Sequence, residues 1–165
     1  MIFVTLGTQK FQLNRLLKIM DSYIEQGLIT QSVIAQIGNS DYIPKYYSFK
    51  HFLDKTDFDQ YVKQSSLVIT HSGVGSIIAG VNAGKPVIVF PRLMKYQEHV
   101  DDHQLDIARA FEKKGFVKCC YDQDNLMDII NDCSQFQFQH YVSQRDHIVQ
   151  IVSNYISATE RKQKL

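Results

Sequence analysis

The feature that leaves this chain fewest possible folds is a series of short, unbroken apolar runs separated by stretches of helical periodicity. IFVTL (2–6), SVIAQI (32–37), SLVIT (66–70) and PVIVFP (86–91) carry no formal charge and little alternation. A strand with one wet face alternates apolar and polar side chains, whereas continuous runs of this length belong to strands covered on both faces. YYSFKHF (46–52) alternates and reads as a further strand, and FVKCCY (116–121) as a last short one. Between the runs, Phe11, Leu13, Leu16, Leu17, Met20 and Ile24 recur at helical spacing. Helices are also expected over 57–64, 75–83, 101–114, 123–133 and 141–159, with Gly84 and Gly115 as stop signals. Strand–helix alternation without a repeat or internal linker predicts one α/β domain over residues 1–165. Its core is a doubly wound, Rossmann-like parallel sheet with helices on both faces. Ligands of such sheets sit beyond the carboxyl ends of the strands. That places Gly7–Phe11, Gly38–Ser40, Phe52–Asp54, His71–Ser76 and Arg92–Gln104 around one crevice.

Composition removes several classes of function. A net charge of +1, from 18 basic and 17 acidic side chains, gives no case for nucleic acid as the partner. Cys119, Cys120 and Cys133 are odd in number and form no C-x-x-C pair, which fits a reducing compartment rather than a disulfide framework or zinc knuckle. MIFVTLGTQ lacks the basic and apolar regions of a signal peptide. Residues 65–84 carry no formal charge but are broken by His71, Asn82 and glycines, so no membrane span is expected there. The chain reads as soluble and cytoplasmic.

The stretch ITHSGVGSII (69–78) runs from a strand through a glycine turn into a helix. Bare N–H groups and the positive end of the helix dipole favour a phosphate there, with Ser72 and Ser76 as hydroxyl donors. A tight strand-to-helix turn with no ligand is the competing reading. A dinucleotide fingerprint fails because Ile78 stands where a third Gly or Ala is needed. Gly80–Pro86 is one residue short of a P-loop and has Pro86 in place of the magnesium-binding hydroxyl. Thr70 in place of Gly excludes a nucleophile elbow at Ser72. The second polar cluster is Gln97-Glu98-His99-Val100-Asp101-Asp102-His103-Gln104, after the strand-ending Pro91. In a helix, His99 and His103 would share a face and make a metal site conceivable; helix caps and solvated charges are the plainer account.

Together, His71-Ser72-Gly73-Val74-Gly75-Ser76, Gly84-Lys85-Pro86 and Asp102-His103-Gln104 resemble the C-terminal, nucleotide-sugar-binding domain of the two-Rossmann-domain (GT-B) glycosyltransferases. The likeness is strongest to small split enzymes. These are the cytosolic subunit of the eukaryotic dolichol-linked GlcNAc transferase and, closer still, bacterial capsule and exopolysaccharide subunits. Pro91-Arg92, Glu98-His99 and an opening V-T-x-G-T at Val4–Thr8 match the bacterial subunits, and the likeness covers about residues 1–133.

The resemblance implies a UDP-sugar donor site, for galactosyl or N-acetylglucosaminyl transfer. Ser72, Gly73, Val74, Gly75 and Ser76 would hold the diphosphate, and Gln104 with His103 would bind the donor sugar. Phe52 and Leu53 would meet the uracil, Gly7 and Thr8 would face the cleft, and Glu98 is a weaker candidate for sugar hydroxyls. Related transferases bind the ribose with a Glu where this chain has Ala79. It also implies no metal and no other cofactor: Asp57-Phe58-Asp59 has the letters of a metal motif but lies in a helical stretch.

One domain of this type is half an enzyme. The resemblance supplies a membrane-anchored subunit with the acceptor domain, recruiting this chain to the cytoplasmic face, and a polyprenyl-diphosphate-linked sugar as acceptor. No catalytic base is assigned; His71 is a cleft-lining candidate. Ile148, Val152, Tyr155 and Ile156 in the expected helix 141–159 are a candidate partner interface. The rival readings are a non-enzymatic nucleotide-binding regulatory or scaffold module, favoured by Ala79, and a metal-dependent hydrolase built on His99 and His103.

Overall fold

A computed structural model describes residues 1–133 and 135–141. The helix expected over 141–159, and the interface assigned to it, lie outside the described residues. Among the described residues six strands and five helices follow in the order β1 (Ile2–Thr5), α1 (Asn14–Glu25), β2 (Val33–Gln36), β3 (Ser48–Lys50), α2 (Lys55–Gln64), β4 (Leu67–Thr70), α3 (Val74–Asn82), β5 (Val87–Val89), α4 (His103–Lys113), β6 (Lys118–Cys119) and α5 (Leu126–Cys133). A 3-10 turn at Met94–Tyr96 interrupts the β5–α4 connection.

The strands form one parallel sheet in the order β3-β2-β1-β4-β5-β6. β1 lies between β2 and β4, with Ile2 opposite both Val33 and Leu67. The chain winds outward from β1 to β3, then crosses back and winds outward again from β4 to β6. The order reverses between β1 and β4, and a crevice opens beyond the carboxyl ends of those strands.

The unbroken apolar runs are explained by cover on both faces. Ile2, Val4, Ala35, Ile69 and Ile88 pack with Leu16, Leu17 and Met20 of α1 and Leu126 of α5. Phe3, Val68, Val87 and Val89 pack on the other face with Val62 of α2, Ile77 and Val81 of α3, and Ala108 of α4. Asp21 of α1 is buried and accepts from the Tyr42 hydroxyl (2.7 Å), Lys45 N–H (2.9 Å) and Tyr46 N–H (3.0 Å), fixing the loop that leads into β3.

Two helix starts depart from periodicity for identifiable reasons. α2 begins at Lys55 because the Asp54 carboxylate accepts the Asp57 N–H at 2.8 Å. α4 begins at His103 and not at Asp101, because the Asp102 carboxylate bonds the Met94 N–H across the loop (2.8 Å) and gives no cap. His99 therefore precedes the helix, and the shared helical face expected for His99 and His103 does not exist.

Candidate functional site at the carboxyl ends of β1, β4 and β5

The glycine turn lies at the topological reversal, between the end of β4 and the start of α3. Gly73 is the N-terminal cap residue, with φ −73° and ψ 117°, and no side chain caps the helix. The first intrahelical bond runs from Ile77 N–H to Gly73 C=O (3.0 Å). The N–H groups of Val74, Gly75 and Ser76 precede that bond and have no acceptor in the helix. Gly73 N–H is not among the free amides, because it turns back to His71 C=O at 2.8 Å. Val74 and Gly75 are exposed and Ser76 is half-buried. A Cβ added at Gly75 would meet nothing within 4 Å, so a side chain there has open space. Three N–H groups at the positive end of a nine-residue helix, with no acidic residue in its first turn, make an anion-binding geometry.

The ring of His71 forms the floor between β1 and this turn. A Cβ at Gly7 would stand 2.5 Å from His71 Cε1, and one at Gly73 would stand 2.3 Å from His71 Nε2. Glycine is required on both sides for the imidazole to fit. Gly7 also has φ +72°, a conformation that side chains resist. Its carbonyl accepts from Gln36 Nε2 at 3.1 Å and approaches Gly38 so closely that a Cβ there would lie 2.8 Å away. His71 Nδ1 lies 3.4 Å from the Thr5 carbonyl, which leaves Nε2 as the nitrogen between the two glycines. Burial, with a contribution from the nearby Arg92 charge, lowers the His71 pKa to about 4. The ring is neutral at physiological pH and a weaker base than a free imidazole.

Arg92, just past β5, is fully buried and ties the loops of the crevice together. Its Nη2 donates to the carbonyls of Leu6 (2.7 Å) and Phe11 (3.0 Å), and its Nε to that of Gln12 (3.2 Å). Its backbone N–H donates to Gln104 Oε1 at 3.0 Å. Burial pulls its pKa down to about 10, opposed by Glu98. Thr5 Oγ1, Ser72 Oγ and Arg92 Nη1 are the buried side-chain polar atoms with no hydrogen-bond partner among the described residues. They sit at or just beyond the ends of β1, β4 and β5, where the crevice opens. Buried polar atoms are nearly always paired, so their concentration here marks a place built to meet water or a ligand.

The structure distributes the remaining sequence candidates unevenly. Gln104, buried in the first turn of α4, is anchored by its oxygen to Arg92 and leaves its amide NH2 group to donate. His103 is half-exposed at the start of α4 and tied to Asp101. Phe52 is exposed and Leu53 half-buried in the β3–α2 loop, while Thr8 is exposed beyond β1. Ser72 is buried, so of the two turn hydroxyls Ser76 has the better access. Glu98 does not present itself to a ligand. It is 1% exposed, its two oxygens take Arg15 Nε (3.2 Å) and Nη2 (3.0 Å), and Oε2 also accepts the Leu93 N–H (3.0 Å). It braces the β5–α4 loop instead. Asp57 and Asp59 are paired with Lys50 and Lys55 on the surface of α2, as a solvated helix face requires.

Ile78, Ala79 and Gly75 form one wall of a groove of about 410 Å³ facing Lys55, Asp59 and Val62 of α2. A cavity of about 460 Å³ lies further along the sheet edge, between Leu93, Leu105 and Tyr121, and does not include the glycine turn. The free amides and the unpaired polar atoms lie at or beside the turn and not in that larger cavity.

The description of the glycosyltransferase family 28 C-terminal domain matches residues 1–155. The chain belongs to that family. Among curated relatives, the human UDP-N-acetylglucosamine transferase subunit ALG13 is 30% identical over 126 residues, which are 72% of this chain and 11% of that protein. The Saccharomyces cerevisiae subunit of the same name is 33% identical over 94 residues, 53% of this chain and 45% of that one. The chain thus spans about a tenth of the human and mouse relatives. Among solved structures, that of ALG13 superposes with a TM-score of 0.54 at 20% identity, covering 91% of this chain and 93% of that one. The kitacinnamycin glycosyltransferase gives 0.58 at 16% identity, covering 81% and 34%. At these identities the superpositions speak for the fold alone. The expected GT-B half-domain, resembling ALG13, is the fold this family 28 domain has.

In the sequence Arg92 stands out only within the Pro91-Arg92 pair, and Arg15 not at all. One signal was available for Arg92: an arginine between Pro91 and Leu93, directly after a buried strand, has little room to turn outward. For Arg15 the helical spacing gives no sign that its partner is Glu98, 83 residues away.

Proposed function

We propose that this family 28 domain is the donor-binding subunit of a split, UDP-sugar-dependent glycosyltransferase. The observation that carries the reading is the run of free amides at Val74–Ser76, opening α3 at the point where strand order reverses. In this reading they hold the diphosphate of a UDP-sugar. As the glycosidic bond to the sugar breaks, charge grows on the departing phosphate oxygens, and fixed N–H dipoles stabilise it without reorganising. Helix and amides supply this without a metal, so transfer needs no divalent ion or other cofactor. Ser76 adds a hydroxyl, neutral His71 shapes the floor, and Gln104 with His103 meets the sugar. Gly7, Thr8, Phe52 and Leu53 border the nucleoside side of the cleft.

The names of the curated relatives support N-acetylglucosamine ahead of galactose as the donated sugar. They lend no support to a capsule or exopolysaccharide setting, which rests on the sequence motifs alone. A membrane-anchored partner would bring the acceptor domain, a polyprenyl-diphosphate-linked sugar and the general base to the cytoplasmic face of the membrane. No described helix is long and apolar enough to cross a membrane, so in this reading attachment comes from the partner.

The test is the melting temperature with UDP, compared with AMP and NAD, for the parent protein and for Gly75→Val. UDP raises the parent's melting temperature by mass action, and the substitution abolishes the rise while leaving the unliganded value close to the parent's. Equal shifts for all three nucleotides, or an undiminished UDP shift in Gly75→Val, removes the turn from the site. Co-expression with the partner then separates a transferase from a module that binds nucleotide only: transfer from UDP-N-acetylglucosamine, insensitive to chelator, is the expected result.

A further inference from the structure

The loop that delivers Gln104 carries an arrangement that shares only His103 with the reading above. His99, Asp101 and His103 each offer a ligand atom, and the three atoms all lie within 4.8 Å of one another. The residues alternate along an irregular segment, so their side chains gather on one side. Asp102, between two of them, turns its carboxylate the other way to Met94 N–H. Val100, between the other two, is 68% exposed.

We infer that His99, Asp101 and His103 form a binding site for a borderline divalent metal ion of the zinc class. Two imidazole nitrogens and one carboxylate oxygen are a ligand set that such ions take in sites with an open fourth position. Metal–ligand bonds of about 2.0–2.1 Å at a tetrahedral angle put ligand atoms about 3.3 Å apart. His99 Nδ1 and Asp101 Oδ1 are 3.2 Å apart. Asp101 Oδ1 also contacts His103 Nδ1 and accepts the His103 N–H at 3.1 Å. Asp101 Oδ1 thus lies beside both imidazole Nδ1 atoms. With metal bound, each neutral ring ligates through the lone pair of Nδ1 and carries its single hydrogen on Nε2.

Neighbouring contacts restrain the loop that carries the cluster. The His99 ring lies against Phe11, with centroids 4.3 Å apart, and against His103 at 4.6 Å. Its neighbour Glu98 is locked to Arg15 and Leu93, while Asp102 is bonded to Met94 and α4 starts at His103. Outer contacts of this kind orient ligands and sharpen affinity. They also make the site a property of the loop, independent of any nucleotide.

The experiment uses the full chain, freed of metal with chelator, with no nucleotide present. Calorimetry with Zn²⁺ gives one equivalent bound, and Co²⁺ gives ligand-field bands of a four- or five-coordinate site without a thiolate charge-transfer band. His103→Ala and Asp101→Asn each weaken binding by at least the loss expected for an outer-shell partner, about 10–100-fold. Both side chains are half-exposed or more, so the fold survives, checked by circular dichroism. His51→Ala, remote from the cluster in sequence, binds as the parent does. No stoichiometric Zn²⁺ binding, a thiolate band, or affinity unchanged in both cluster variants overturns the inference. None of these outcomes bears on the UDP shift, so this site and the proposed function fail separately.

Discussion

Replacing His71 by glutamine removes one titration that folding has displaced, and the consequence for acid stability can be worked out. The ring is 5% exposed, hemmed by Gly7 and Gly73, with Arg92 near enough to oppose a second positive charge. Its pKa falls from 6.5 in the unfolded chain to about 4 in the folded one. Between those values the unfolded chain binds a proton that the folded chain does not. Stability from this group is therefore complete above pH 6.5, is lost as pH falls, and is gone once pH has passed below about 4. A displacement of about 2.5 units corresponds to about 3 kcal/mol, with a slope of about 1.4 kcal/mol per pH unit in the middle of the window. Urea unfolding of parent and His71→Gln from about pH 7 to about pH 4.5 isolates the effect, since every other group titrates in both proteins. The variant carries a fixed stability offset, but its curve falls less steeply below pH 6.5. Parallel curves would refute the reasoning. Should the variant fail to fold, the Cε1–H resonance of His71 in the parent decides the matter: a midpoint near 6.5 contradicts the burial argument.

The glycines of the site separate by what lies in front of them. Gly73→Ala forces a methyl onto His71 and costs about 1–3 kcal/mol; Gly7→Ala costs more, because its φ of +72° adds about 1 kcal/mol of backbone strain. Gly75→Ala meets open space and leaves urea stability unchanged or slightly raised, while diminishing the UDP-induced shift. Glu98→Gln breaks the buried pair with Arg15 and lowers stability by about 3 kcal/mol, read from the urea midpoint. Cys119, Cys120 and Cys133 are buried free thiols, with pKa values that burial raises to about 12, 12 and 11. Native protein is therefore inert to a thiol reagent at neutral pH, and three equivalents react after unfolding.

What sequence alone reveals follows the range of the forces involved. Strands β1, β2, β4 and β5 were readable because burial on both faces writes itself into consecutive residues. The edges were less so: β3 and β6 keep three and two residues of longer expected runs, since an edge strand has one neighbour to pair with. The turn at Gly73–Ser76 was legible as strand, glycines and helix, but the return of Gly73 N–H to His71 depends on backbone angles that letters do not encode. Glu98 was misjudged for a related reason. A carboxylate beside two histidines looks available to a ligand until its partner, Arg15 on α1, is brought to it by the fold. The same holds for Asp102, whose long-range bond to Met94 delays the helix and turns His99 out of it.

The division of labour around the crevice follows from the cost of burying charge. A fully buried arginine is expensive unless its hydrogen bonds are met. Arg92 meets three carbonyls of the β1–α1 connection through Nη2 and Nε, and so fixes Leu6, Phe11 and Gln12 to the end of β5. Glu98 does the same for the β5–α4 loop, with Arg15 on α1 as its counter-charge and Leu93 N–H as its second anchor. Both charges hold loops, and Arg92 Nη1 is the one polar side-chain atom of the two residues left without a partner among the described residues. In the proposed reading, the ligand-facing positive potential comes instead from Val74, Gly75 and Ser76 N–H at the start of α3, groups that carry partial charge and whose positions the helix itself sets. Shape decides where an anion sits on such amides, because a mobile lysine would follow the ligand and a helix end does not. The glycines that clear space for His71 and for the helix start are then not incidental turn residues. They let the backbone, the least adjustable part of the molecule, present those donors at the reversal of the sheet.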